Sequence, residues 1–457
     1  MPQLIPPPEL YSLLVWFAPC FTAPSFAHFV SFVVCLMANL ARGTSTTVYR
    51  TSLRASHWTN YSRFLSHYRW SVQALSARLL ELLLDHCGLW CDDQGRRRLC
   101  VVIDETIVEK TSKRMFGVAW HRNTHGGWCR GSHILGHYWL MVGLLVRIGG
   151  RTLCLPLAFG LYRQKKRCPA DAYRTPCQLA LELLASLPWP TAPDLVRTVI
   201  ADAGFADKEL LRWCDANGFV AIVRGRIDAQ VHDLYVHQPQ PRRGRPRKYG
   251  ERISLAEYTA DSSHFTQTIA LYQNRTPVRV ASLVGLHRAS GLSMRFVILR
   301  CAGKPDRVVM STDLSLTPRE IAGLYADRFA IEMTFRELKQ HFGLGHYQAR
   351  LPEAMLRHVQ LSGVACALTQ LLTLRPPAAL SNGLGHASRP IGTIAKATPW
   401  RRYHTRSVGE TQLWVRLACA AAGAFGDVAL STDNCEKHRQ ASPPAHKPIH
   451  PPESAEL

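Results

Sequence analysis

The chain has 457 residues, with 55 lysines and arginines against 33 aspartates and glutamates, giving a formal net charge of +22. A hydrophobic fraction of 47% allows a sizeable buried core, and the length suits two or three domains. So large a cationic excess favours a polyanionic partner, most often a nucleic acid.

Cysteine spacing and hydropathy exclude two other classes of protein. Fourteen cysteines occur without CxxC pairs, which indicates neither a zinc ribbon nor a disulfide framework, and reduced thiols imply a cytoplasmic protein. Residues 10–41 carry no Asp, Glu, Lys or Arg, but Pro19 and Pro24 interrupt them. The remaining stretch is shorter than the roughly 20 residues of a membrane span. We therefore expect buried helices and no membrane span.

Residues 1–95 are predicted to form a helical domain with a basic surface. Arginines and aromatic residues interleave on its short helices: Arg50, Arg54, Arg63, Arg69 and Arg78 with Trp58, Tyr61, Tyr68 and Trp70. Such helices suit a helix-turn-helix-like contact with DNA, and the alternative is a bundle whose surface happens to be basic.

Residues 96–224 and 311–374 are predicted to form a mixed α/β catalytic core. An apolar strand over residues 99–103 ends at Asp104, and a second over 196–201 ends at Asp202. Between these two strands lie predicted strands at 138–146 and 152–159 and a predicted helix at 170–186. A helix at 208–217 and a strand at 219–223 follow Asp202. Hairpin, crossover helix and further strands describe a sheet of the ribonuclease H type.

Residues 225–310 interrupt this layout as a β-rich insertion that carries a basic loop. Its strand-like runs are 265–272, 278–286 and 294–299. The loop contains an Arg-Gly-Arg-Pro core, and its cations are Arg243, Arg245, Arg247 and Lys248. This core resembles an AT-hook that could lie in a narrow minor groove, and a plain basic loop is the alternative. In either case we expect contact with DNA phosphate.

A long helix is predicted over residues 317–339. Thr317 is a candidate N-cap, Pro318 fits the first helical position, Glu320 completes a capping box, and Gly343 supplies a stop. On this helix four side chains fall within roughly 60° of arc at about 100° per residue: Tyr325, Arg328, Glu332 and Lys339. One face would therefore present a carboxylate flanked by cations and a phenol.

The chain then ends in a helix and a Pro-rich region. Residues 352–374 are predicted as an apolar helix of the core. Residues 375–457 are rich in Pro, Ser, Gly and His, and we expect the last part to be disordered.

Asp104, Asp202 and Glu332 are the predicted catalytic and metal-binding residues. Strand ends that lie side by side let distant carboxylates converge, and three hard oxygen donors suit two Mg²⁺ or Mn²⁺ ions. Three nearby acids could substitute for members of this set: Glu105, Asp313 and Glu337. Glu105 should point to the opposite face of its strand from Asp104.

A second constellation of possible metal ligands is less favourable. His121, His125, Cys129, His133 and His137 recur every four residues, as helical zinc ligands might. Glycines at 126, 127, 131 and 136 would break a helix there. We therefore do not predict a zinc site, and the role of this segment stays open.

Three motifs occur in the order found in the DDE transposases of bacterial insertion sequences, which this chain resembles over about residues 10–410. They are Asp-Glu-Thr after a strand at Asp104, Val-Ile-Ala-Asp-Ala-Gly-Phe around Asp202, and Tyr-x2-Arg-x3-Glu-x6-Lys ending at Lys339. The resemblance implies that Tyr325, Arg328 and Lys339 grip phosphates at the transposon ends.

The resemblance also implies an activity and partners. Family members cut double-stranded DNA at terminal inverted repeats and join the 3′ ends to target DNA, as dimers or larger assemblies. Some relatives stack a flipped base on a Trp of the insertion, whereas this chain has no Trp between Trp213 and Trp400. The alternatives are a metal-dependent nuclease on the same core and an inactive DNA-binding relative. A bacterial, nucleoid-associated location in the cytoplasm is expected.

Overall fold

The computed structural model describes most of the chain as far as residue 374. The described residues are 6, 8–38, 43–51, 56–123, 132–148, 151–234, 249–271, 276–374, 408–409, 411–412, 415–416 and 419. The basic loop and nearly all of the Pro-rich C-terminal region therefore lie outside them.

Five helices precede the first strand, three lie between strands and three follow the last strand among the described residues. In chain order they are α1 (Pro8–Val15), α2 (Ala23–Ala38), α3 (Ser45–Arg50), α4 (Trp58–Ser66), α5 (Val72–His86), α6 (Pro176–Ala185), α7 (Lys208–Ala216), α8 (Leu255–Ala260), α9 (Pro318–Asp327), α10 (Ala330–Gln340) and α11 (Pro352–Leu374).

The strands join into one mixed sheet. They are β1 (Trp90–Cys91), β2 (Arg97–Glu109), β3 (Ala119–Arg122), β4 (His133–Ile148), β5 (Arg151–Tyr162), β6 (Leu195–Ala201), β7 (Phe219–Gly225), β8 (Val231–His232), β9 (Arg252–Ile253), β10 (Gln267–Leu271), β11 (Thr276–His287), β12 (Leu292–Arg300) and β13 (Arg307–Ser311).

The centre of the sheet is parallel and its flanks are antiparallel. Its main path runs β3-β4-β2-β6-β7-β13-β12-β11-β8-β9, with β5 beside β4 and β10 beside β11. β2, β6 and β7 are parallel neighbours. Leu99, Val101 and Ile103 of β2 are fully buried, as expected for a central strand covered on both faces. The predicted mixed α/β sheet is thus confirmed.

Strand β2 is longer than predicted and does not end at Asp104. It continues to Glu109 because its second half pairs with β4, as far as Glu109 opposite Gly136. Asp104 therefore projects from the middle of a strand. The prediction that Asp202 directly follows its strand is correct.

The β-rich region at 225–310 extends the core sheet. The predicted runs are found as β10, β11 and β12, and β12 pairs through β13 with β7. Because β13 pairs antiparallel with β7, the strands of this region continue the β-sheet of the core.

The N-terminal helices share one hydrophobic core with the sheet. From His28 to Ala38, every residue of α2 is buried, and α11 packs on α2, α4, α5 and β5. A helix that is apolar on all sides needs partners on all sides, which explains why α2 lies inside the molecule. No helix among the described residues is long and apolar enough to cross a membrane.

A buried polar network accounts for His137. His137 is completely buried and burial lowers its pKa to about 4, so the ring is neutral. Its Nε2–H donates to the Phe116 carbonyl (2.8 Å), so its Nδ1 accepts from the Tyr347 hydroxyl (2.7 Å). Trp139 Nε1–H donates to the same hydroxyl oxygen (2.9 Å). His137 thus fastens β4 to the segment after α10.

A buried ion cluster fixes the start of β2. Arg98 is 1% exposed, and its Nη2 lies 3.0 Å from Asp92 and 2.9 Å from Asp313. The first turn of α9 joins the cluster, because the Glu320 carboxylate accepts from the Asp93 amide (2.9 Å). These contacts connect β2 to the end of β13 and to α9.

We expect Arg98→Met to lower the free energy of unfolding by about 3 kcal/mol, the lower end of the range for breaking a buried ion pair, because Asp92 and Asp313 keep only the partly exposed Arg96 as a cation. Urea denaturation measures the change. The matched control is Arg97→Met, since Arg97 pairs with the exposed Asp194 and should cost less than about 1 kcal/mol. Equal effects of the two variants would contradict this account of the cluster.

Candidate active site

Parallel pairing of β2 with β6 places two of the predicted acids side by side. Ile103 pairs with Ala201, and each of these residues directly precedes an aspartate, Asp104 and Asp202. Because parallel strands run in register, their next residues emerge at the same level of the sheet. The convergence predicted from two strand sequences is therefore present.

Arg328 connects Asp104 with Glu332. Its Nη1 lies 2.7 Å from Asp104 Oδ2, and its Nη2 lies 3.2 Å from Glu332 Oε1. The Arg328 and Asp104 side chains are 12% and 15% exposed, whereas that of Glu332 is 47% exposed. One guanidinium thus bridges a carboxylate of the sheet and a carboxylate of α10.

Asp202 is held by two further side chains. The Tyr325 hydroxyl donates to Asp202 Oδ1 at 2.9 Å, and Arg224 Nη1 lies 3.7 Å from the same oxygen. Arg224 belongs to β7, the parallel neighbour of β6, and it was not singled out from the sequence. An arginine near the end of a strand next to the Asp202 strand is the signal that could have identified it.

The predicted single helix over residues 317–339 is wrong: α9 ends at Asp327 and α10 begins at Ala330. Backbone hydrogen bonds of the i to i+3 type cross the break, including Arg328 N–H to Tyr325 O (3.3 Å) and Glu332 N–H to Phe329 O (3.1 Å). Two residues at the break form ion pairs with distant parts of the chain. Asp327 pairs with Arg147, and Arg328 pairs with Asp104.

The predicted ends of this helical segment are correct. Thr317 caps α9 in a complete capping box with Glu320, and Pro318 takes the first position. After α10, Gly343 adopts a left-handed φ of 65°, which favours glycine. Lys339 lies in the last turn of α10 with an exposed side chain.

Burial and neighbouring charges give the acids of the site different pKa values. Burial raises the pKa of Asp104, and the opposing Arg328 charge does not fully offset it. Burial, followed by the Asp104 charge, raises the pKa of Glu105 to about 7. At Asp202 burial also acts to raise the pKa, but hydrogen bonds from the Ala203 backbone and Tyr325, with the Arg328 charge, outweigh it and lower that pKa. Asp202 is therefore the more firmly ionised aspartate.

The alternative acids have other partners. Asp313 pairs with Arg98, and the Glu337 carboxylate accepts from Gln370 Nε2 at 2.7 Å. Glu105 interacts with Tyr138 and lies close enough to Asp104, Asp202 and Arg328 for their charges to shift its pKa. The contacts of Asp313 and Glu337 thus favour the predicted set over these two acids, whereas Glu105 lies beside the predicted set.

No set of three or more His, Cys, Asp or Glu side chains in the described ranges is arranged to hold a metal ion. Arg328 lies between Asp104 and Glu332 and contacts both carboxylates. The donor chemistry nevertheless fits, because clustered carboxylate oxygens are the ligands that Mg²⁺ and Mn²⁺ prefer.

The histidine segment forms strands where it is described. His121 lies on β3, and His133 and His137 lie on β4. The spacing of four residues therefore does not place these side chains on one face of a helix. His125 and Cys129 lie outside the described residues, as do Arg243, Arg245, Arg247 and Lys248.

We expect Arg328→Ala to lower the free energy of unfolding by about 2 kcal/mol, less than the 3–5 kcal/mol of a fully buried pair, because Asp104 loses its cation. Arg328→Lys should recover only part of this loss, since an ammonium cannot fork onto both carboxylates. Thermal and urea denaturation provide the measurement.

Lys339→Ala, which removes an exposed cation of α10, should stay within about 0.5 kcal/mol of wild type. Full recovery by Arg328→Lys would show that the fork geometry is unimportant.

Comparisons with known proteins identify the family. A family model described as DDE superfamily endonuclease matches residues 16–282, which include Asp104 and Asp202 but end before Glu332. Among solved structures, a piggyBac transposase synaptic complex with hairpin DNA is similar at 9% identity and a TM-score of 0.39, covering 93% of this chain and 78% of that chain. A TM-score this low establishes no shared fold. Comparison with curated proteins finds no match. Because the family model covers more than half of its length, the chain belongs to the DDE superfamily endonucleases.

Proposed function

We propose that this protein is a DNA transposase of the bacterial insertion-sequence type. It would bind terminal inverted repeats, cleave the DNA and join the 3′ ends to target DNA. The observation that carries the proposal is the convergence of Asp104, Asp202 and Glu332 around Arg328. Family membership supports DNA cleavage, and the net charge of +22 supports a nucleic-acid substrate.

Asp104, Asp202 and Glu332 are the residues that would hold the ions. When bound, two Mg²⁺ or Mn²⁺ ions supply activation of a water or 3′-hydroxyl and stabilisation of the leaving oxygen in phosphoryl transfer. Tyr325 prepares Asp202 for this role, because its hydrogen bond favours the ionised carboxylate.

Arg328 would orient both the carboxylates and the DNA. It fixes Asp104 relative to Glu332. Its side chain is 12% exposed, and a guanidinium binds phosphate oxygens as well as carboxylates, so a phosphate oxygen of the scissile strand is its proposed partner on DNA. Lys339, on the same helix as Glu332, would contact a further phosphate as a point charge.

The remaining parts of the chain would serve binding. Residues 1–95 would contact the element ends, the loop carrying Arg245 would add phosphate contacts, and a dimer or larger assembly would pair the two ends. A nuclease without strand transfer, or an inactive DNA-binding relative, would differ in the products formed on end-containing DNA.

Each of Asp104→Ala, Asp202→Ala and Glu332→Ala should abolish divalent-ion-dependent cleavage, because each removes one of three carboxylates. Binding of end-containing DNA should persist. Cleavage and strand transfer are measured on labelled DNA in Mg²⁺ and in Mn²⁺. Glu337→Gln is the matched control on α10 and should remain active.

The products of this assay separate the alternatives. Cleavage without joining would support the nuclease, and binding without cleavage by the wild-type protein would support the inactive relative. Near-wild-type cleavage by any of the three alanine variants would remove that residue from the site.

Replacing Arg245, Arg247 and Lys248 with Ala should flatten the salt dependence of DNA binding, by up to about 0.9 log units for each phosphate that is no longer neutralised. The expected effect is on affinity, and the rate of cleavage at saturating DNA should be unchanged. Fluorescence anisotropy over a series of salt concentrations measures the slope. An unchanged slope would show that this loop does not face the DNA.

A further inference from the structure

A cleft lined by both polar and apolar side chains separates the N-terminal helices from the segment that follows α10. It has a volume of about 350 Å³ and lies between α3, α4 and residues 347–358. Its floor includes Tyr347 and His358, which are 3% and 1% exposed. The floor is rigid, because the Tyr347 hydroxyl is bound by His137 and Trp139, and Lys110 Nζ donates to the carbonyls of Gly345 (2.7 Å) and Tyr347 (3.1 Å).

The walls of this cleft carry hydrogen-bonding side chains that the described part of the protein leaves without partners. They are the hydroxyls of Ser45, Thr46 and Ser62, the amide of Gln348 and the guanidinium of Arg350. Other lining hydroxyls are engaged, since Thr44 caps α3 and Ser66 donates to the Ser62 carbonyl. Donors from three separate chain segments therefore converge on one space without an internal acceptor.

The N-terminal segment that contributes one wall of the cleft carries arginines and no acidic residues. No Asp or Glu lies between Glu9 and Glu81. Exposed Arg50, Arg63 and Arg69 form no ion pair within the described residues. No acidic residue of this N-terminal segment therefore neutralises the positive charge of its arginines.

We propose that the cleft binds the sugar–phosphate backbone of DNA. Guanidinium, hydroxyl and amide groups all donate to phosphate oxygens, and no acidic residue lines the cleft to repel them. Tyr347 offers no free ring face for a base, because Lys110 Nζ lies 3.5 Å from the ring centroid and His137 stacks on it. The contact is therefore to backbone and independent of sequence.

This inference rests on the proposed function, because it takes DNA as the substrate. It adds a site away from the carboxylates, on the segment that leads from α10 into α11. A strand held there would be fixed relative to both the N-terminal helices and the helix that carries Glu332.

The test is DNA binding by the full-length protein with Arg350→Ala combined with Ser62→Ala. Anisotropy is measured on end-containing duplex and on scrambled duplex, between low and moderate salt. We expect roughly tenfold or greater loss of affinity on both duplexes, as for removal of a charge-assisted hydrogen bond, and a salt slope reduced by about 0.9. Arg350→Lys should keep the slope. Arg174→Ala, which removes the same charge next to α6, should leave affinity and slope unchanged.

Several outcomes would overturn the inference. If the wild-type protein binds and cleaves DNA but the double variant keeps its slope, the cleft assignment is wrong and the proposed function stands. A loss confined to the end-containing duplex would mean that the cleft reads sequence. If the wild-type protein neither binds nor cleaves DNA, the proposed function itself fails.

Cross-linking provides a readout that does not depend on the stability of the double variant. Thr46→Cys should undergo thiol–disulfide exchange with DNA that carries a mixed disulfide tethered to a backbone phosphate, releasing the small thiol of that disulfide, and Arg174→Cys should not. Absence of the Thr46→Cys adduct on DNA that the protein demonstrably binds would also reject the cleft.

Discussion

The arrangement of the site depends on the ion bridge from Arg328 to Asp104 and Glu332. Carboxylates brought together in a partly buried place repel one another, and each loses hydration. A guanidinium can lie between two of them and donate to both, which an ammonium cannot do in the same way. The bridge therefore permits a helix acid to sit against a sheet acid, and it fixes how α10 meets β2.

The sheet supplies the other half of this arrangement. Parallel pairing of β2 with β6 puts Asp104 next to Asp202, and parallel pairing of β6 with β7 adds Arg224. The cation on β7 and the hydroxyl on α9 act on the same oxygen of Asp202. Because both favour its charged form, the two aspartates differ in proton affinity although they stand side by side.

Much of this could be predicted from the sequence because it depends on local patterns. Apolar runs before Asp104 and Asp202 identify central strands, and Thr317-Pro318 with Glu320 identifies a helix start. The length of β2 could not be predicted, since it depends on the partner β4. The break after Asp327 has no proline or glycine to announce it and coincides with tertiary ion pairs. The shared core of α2 and α11 likewise arises from packing between distant segments.

The charge distribution links these features to the behaviour of the protein on a polyanion. A chain with a net charge of +22 concentrates Asp104, Glu105, Asp202 and Glu332 in one place, while exposed arginines without ion pairs lie on the described N-terminal helices. A phosphate backbone is attracted to the helices and repelled by the acids. A phosphate can approach the acids favourably only where cations face it. Among the described residues, Arg328 and Arg224 are the cations next to the aspartates. Arg328, which bridges two of the acids, and Arg224, which pairs with Asp202, are therefore the cations that would lower the repulsion of a phosphate at the proposed site.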